Sequence, residues 1–138
     1  MNWRNITGFI LLGLGTALWF LAFAYRMLIT SDIPVNFTPE ESALAQRFFI
    51  VSGIIVLIGT LLTKSKGFYL LSLGIYGSIA IFGWLNKSWY AAGAEYYSAE
   101  YARLNNASIY VPSALALINL IYLLVSVWKN PERLHRSV

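Results

Sequence analysis

The stretch NITGFILLGLGTALWFLAFAY, residues 5–25, decides the fold. It contains 21 residues without a single charge, closed at its ends by Arg4 and Arg26. A helix needs about 20 predominantly apolar residues to cross a hydrocarbon core of about 30 Å. Three further runs repeat the pattern. Arg47 and Lys64 enclose 16 uncharged residues, Lys66 and Lys87 enclose 20, and Arg103 and Lys129 enclose 25. The second run rises only about 24 Å at ~1.5 Å per residue, but the long stems of Arg47 and Lys64 can snorkel outward and complete the span.

Composition agrees. The 138-residue chain is 58% hydrophobic and 12% charged, where soluble domains carry about 25% charged residues. Four such runs in a soluble fold would leave too little polar surface to cover them. The fold expected is therefore all-α and integral to a membrane. One domain, residues 1–138, holds a four-transmembrane-helix antiparallel bundle, with helices at about 5–29, 39–63, 67–86 and 107–129.

Local signals mark some of the boundaries. Thr38-Pro39-Glu40-Glu41 supplies an N-cap, a proline at the first helical position and a glutamate placed for a capping box. Pro34 blocks continuation of the first helix. Lys64-Ser65-Lys66-Gly67 is a short turn, which makes helices two and three a hairpin. Arg4, the apolar stretch and Ala22-Phe23-Ala24 imitate a secretory signal, but the stretch is longer than the ~7–15 residues of such signals. It is expected to remain as the first helix.

Orientation follows from Lys and Arg. Arg4, Lys64, Lys66, Lys129, Arg133 and Arg136 fall on one side, and Arg26, Arg47, Lys87 and Arg103 on the other. This bias predicts that both termini are cytoplasmic, in a bacterial inner (plasma) membrane. The net charge of +4 is thus topology and not a nucleic-acid patch.

The chemistry the chain can support is limited. It has no Cys and one His, His135, which removes thiolate nucleophiles, disulfides and Cys- or His-built zinc and haem sites. No carboxylate, Lys, Arg or His lies inside the uncharged runs, although ion-coupled carriers and proton relays usually need one. No catalytic residue, cofactor or metal is expected.

Three features remain as candidate functional positions. Between helices three and four, residues 89–104 read as a short amphipathic helix on the outer membrane surface. Tyr90, Tyr97, Tyr101 and Leu104 form its apolar stripe, a contact for the membrane surface or a protein partner. Asn119, with Tyr122 one turn on, sits in the fourth run and is expected to make an interhelical polar contact. Small residues recur at close-packing spacing at Gly13 with Ala17 and at Gly74 with Ser78, for packing within the chain or against a second copy.

Two families offer partial resemblances. The chain resembles the small multidrug exporters in length and helix count only, because their membrane-embedded Glu in helix one has no counterpart between Ile6 and Tyr25. The order Arg26, Glu40-Glu41, Arg47 and Gly53 is faintly similar to that of the small membrane subunit of tripartite ATP-independent periplasmic transporters. The tryptophans flanking that Glu pair are absent and the spacings differ, so neither family is assigned.

The function expected is a non-catalytic accessory or scaffold subunit of a larger membrane complex. Its partners would be the lipid bilayer and other membrane subunits or itself. The alternative is a small transporter or channel component acting as an oligomer or with a large partner. A membrane-bound enzyme or a stress or immunity protein is a third class.

Overall fold

The structure, a computed structural model, describes residues 2–30, 37–87 and 99–129, with the side chains of 99–101 left aside. These residues are all helical apart from caps and turns. Helices α1 (Trp3–Ile29), α2 (Pro39–Leu62), α3 (Lys66–Leu85) and α4 (Ala99–Trp128) are each long and apolar enough to cross a membrane. At ~1.5 Å per residue, their 27, 24, 20 and 30 residues span about 40, 36, 30 and 45 Å.

The starts of α1, α2 and α3 are each held by a side chain that accepts from an otherwise orphaned backbone N–H. Asn2 caps α1 and Ser65 caps α3. At α2 the capping box is complete. The Glu41 amide donates to the Thr38 hydroxyl (3.2 Å) and the Thr38 amide to the Glu41 carboxylate (2.8 Å). Pro112 lies inside α4 and is fully buried. Lacking an N–H, it leaves the Ser108 carbonyl without its usual helical donor.

Glycine sets the closest approach of α1 to α2. A Cβ on Gly15 would stand 2.4 Å from Val56 Cγ2, and one on Gly59 would stand 3.1 Å from the Gly8 carbonyl. Rising numbers on α1 meet falling numbers on α2, so the two run antiparallel. Helices α3 and α4 pair the same way. Gly83 lies against Ile109, and the Tyr69 and Tyr122 rings are 5.5 Å apart. The two hairpins join where α2 meets α4, with Gly53 against Val111 and Thr60 bonded to Asn119.

Helices α1 and α3 touch little. They run parallel, with Phe9 beside Phe68 (ring centroids 5.5 Å) and Thr16 bonded to Tyr76 (3.2 Å). Two apolar clusters fill the interior. One gathers Leu12, Val56, Phe68, Tyr76 and Leu115, and the other Trp19, Ala22, Ala45, Phe49 and Leu104.

The fourth helix differs from its expected extent. It runs unbroken from Ala99, so residues 99–104 are its opening turns and not the end of a separate helix. Leu104 is fully buried. Residues 88–98, which carry most of the expected amphipathic segment, lie outside the described residues.

Candidate functional site

Burial of polar side chains between membrane-spanning helices requires internal partners, because hydrocarbon offers none. Four levels of such contacts run along the interior.

At the end where α1 begins, the Asn5 side-chain oxygen accepts from the Thr63 hydroxyl (3.0 Å) and from the Lys64 amide (3.3 Å). The Tyr69 hydroxyl donates to the Thr63 carbonyl at 2.7 Å. This ties the start of α1 to the turn between α2 and α3.

One turn inward, Asn119 is fully buried. Its amide nitrogen donates to the Leu115 carbonyl at 2.9 Å, and its oxygen accepts from the Thr60 hydroxyl on α2 at 3.3 Å. Tyr122 faces the other way, half exposed, with its ring against Tyr69. Of the expected pair, Asn119 crosses to α2 and Tyr122 packs on α3.

Near the middle of the span, the Tyr76 and Thr16 hydroxyls are hydrogen-bonded at 3.2 Å. Beside them the Ser52 hydroxyl donates to the Gly15 carbonyl at 2.9 Å. The Gly15 position thus provides both the close approach and an acceptor.

At the far end stands a residue that charge reading had placed as a marker outside the span. Arg26 is 1% exposed, the only buried charge among the described residues. Its Nη2 donates to the Asn105 side-chain oxygen on α4 at 2.5 Å, and its guanidinium lies 5.5 Å from the Phe23 ring centre. Ser108 bonds back to the Asn105 carbonyl at 2.8 Å. A signal was present in the sequence. Met27-Leu28-Ile29 continue the apolar run past Arg26, which puts the arginine one turn inside its helix.

The outer stripe is resolved only in part. Tyr90 and Tyr97 lie outside the described residues, and Tyr101 is on the first turn of α4 with its side chain undescribed. Leu104 itself faces the interior. It packs among Trp19, Ala22, Ala45 and Phe49.

A crevice follows the loose contact of α1 with α3. Its lobes have volumes of about 400, 560 and 400 Å³. Phe9, Thr16, Phe20 and Leu71 line one lobe, and Phe23, Ile79 and Phe82 another. The third lies on α3 alone, between Gly67 and Ser78, and the lobes adjoin at Leu71, Ile75, Phe20 and Ser78 as one groove open to the side. Gly13 and Gly74 border it, and a Cβ on either would meet nothing within 4 Å. Among the described residues these glycines do not pack helix on helix, unlike Gly15 and Gly59.

Among the described residues, no three His, Cys, Asp or Glu side chains come together as a metal site would require. Comparison with family models, curated proteins and solved structures finds no match to this chain.

Proposed function

We propose that this chain is a non-catalytic accessory or scaffold subunit of a larger membrane complex. In this reading it is an antiparallel four-helix transmembrane bundle with both termini cytoplasmic, in a bacterial inner membrane. One observation carries the reading. Asn119, fully buried, donates to the Leu115 carbonyl and accepts from the Thr60 hydroxyl, which it shares with the Val56 carbonyl. Asn5, Ser52, Thr60, Asn105 and Asn119 use their side chains to join the chain's own helices. The outer segment bearing Tyr90, Tyr97 and Tyr101 is the surface proposed to meet a partner or the headgroups.

The buried Arg26 favours a second reading, a small transporter or channel component, since embedded cations often mark substrate pathways. Its bond to Asn105 accounts for it as a link between α1 and α4, and that supports the first reading.

Purification in mild detergent through a tag at Val138 separates the two. A larger complex of fixed stoichiometry is expected. A homo-oligomer that moves solute across vesicle membranes without any other subunit overturns the accessory role.

A further inference from the structure

At one end, its mouth, the crevice between α1 and α3 reaches Gly67, beside Lys64 and Lys66. Helices α1 and α3 both begin there, because the Asn5 side chain holds the Lys64 amide. Arg4, Lys64 and Lys66 stand at this end, all exposed, and Lys129 at the end of α4 joins them. Neither α1 nor α3 carries an acidic residue in its first turn, whereas α2, starting at the opposite end, has Glu40 and Glu41 there. Among the described residues this end holds no carboxylate; Glu132 follows in the tail sequence. Two helix N-termini add partial positive charge to that of the side chains. The exposed Trp3 marks the same end as interfacial.

Below the mouth the crevice is apolar and open along its side. It runs from Gly67 to Phe82 along α3, about 22 Å at ~1.5 Å per residue. That exceeds the ~15 Å of one leaflet's hydrocarbon. Its width comes from absent side chains. Gly13 and Ala17 on α1 stand at the level of Gly74 and Ser78 on α3, the register set by the Thr16–Tyr76 bond. A lobe of about 400 Å³ has room for a stretch of acyl chain, whose methylenes need no polar partner.

We propose that this crevice is a binding site for an anionic phospholipid. One acyl chain lies along Phe9, Gly13, Leu71 and Gly74, and the headgroup phosphate is held at the mouth by Arg4, Lys64 and Lys66. The site is independent of whether the chain serves a larger complex. A zwitterionic lipid offers the same hydrocarbon, but its own cation opposes the mouth, so the preference is for net negative charge. A second copy of the chain is the competing occupant.

The test titrates the purified full chain in detergent with dioleoyl phosphatidylglycerol and, separately, dioleoyl phosphatidylcholine, counting retained lipids by native mass spectrometry. The wild type is expected to retain phosphatidylglycerol at least tenfold more tightly. Lys64→Gln with Lys66→Gln should reduce that preference to threefold or less while phosphatidylcholine retention stays unchanged. Gly74→Leu, which fills the crevice, should weaken retention of both lipids at least fivefold. Gly13→Leu fills it from the other wall and replaces Gly74→Leu if that variant does not fold. Equal retention of the two lipids by the wild type overturns the headgroup assignment. Unchanged retention in a folded crevice variant overturns the acyl-chain assignment. A dimer that Gly74→Leu dissociates overturns both, because a second copy then occupies the crevice. None of these outcomes depends on finding a partner subunit.

Discussion

The guanidinium of Arg26 on α1 donates to the side-chain oxygen of Asn105 on α4 across 2.5 Å, with both residues buried. The first helix is thereby fastened to the last at the end opposite the Asn5–Thr63 contact.

A hydrogen bond to a charged group contributes about 1.5–3 kcal/mol. Asn105→Ala is expected to lower stability by that amount, read from unfolding in mixed micelles. Asn105→Asp keeps an acceptor and adds a compensating charge, so it should stay within about 1 kcal/mol of the parent. An Asn105→Ala protein as stable as the parent would mean that Arg26 draws nothing from this bond.

Asn119 and Thr60 provide a smaller and cleaner test. Hydrogen bonds between membrane helices average roughly 0.6 kcal/mol and seldom reach 2. Asn119→Leu should cost at most about 2 kcal/mol. A double-mutant cycle with Thr60→Val should give a coupling near 0.6 kcal/mol. A coupling of zero would remove the Thr60 bond from the account of how α2 meets α4.

Much of this was legible in the sequence, for reasons that differ by residue. The four uncharged runs are a property of length and charge alone, and the four helices follow from them. The Thr38 box involves four consecutive residues, so local chemistry reveals it. Asn119 is conspicuous as an amide among Leu115, Leu117, Leu120 and Ile121. Arg26 was harder to place, because a charge at the end of an apolar run reads as a marker of the interface. Leu104 was assigned to a surface stripe, yet it begins the series Leu104, Ser108, Leu115 and Asn119, which shares one buried face of α4. The glycines were ambiguous in principle. Small residues four apart occur on open and packed faces alike, and only the neighbouring helix distinguishes them.

That distinction is itself testable. Gly15→Ala pushes a methyl to 2.4 Å from Val56 and 3.1 Å from the Ser52 carbonyl. Overpacking of this kind costs about 1–3 kcal/mol. Gly13→Ala meets nothing within 4 Å and should be neutral or stabilising by up to about 1 kcal/mol through helix propensity. Thermal unfolding of the two variants side by side checks the order, and the reverse order would refute the placement of both faces.

Topology can be checked without a structure. The bias of Lys and Arg toward Arg4, Lys64, Lys66 and the tail is the ground for proposing cytoplasmic termini. Reporter fusions should be active in their cytoplasmic form at Val138 and in their external form at Ser98. An external Val138 would reverse every assignment of side, including the leaflet from which the crevice draws its lipid.

The unequal helices bear on where such a chain is comfortable. Helix α3 has 20 residues, bounded by Lys66 at its start and Lys87 just beyond its end, so it cannot lengthen its apolar span by tilting. Helix α4, at 30 residues, can lean to fit. With α2, whose 16 uncharged residues are completed by the stems of Arg47 and Lys64, this short helix sets the hydrocarbon thickness that the whole chain matches, at about 30 Å or slightly less. Mismatch costs fractions of a kcal/mol per Å. In a sterol-rich bilayer a few ångströms thicker, the lipid would have to thin around α3, and the chain would partition toward thinner membrane.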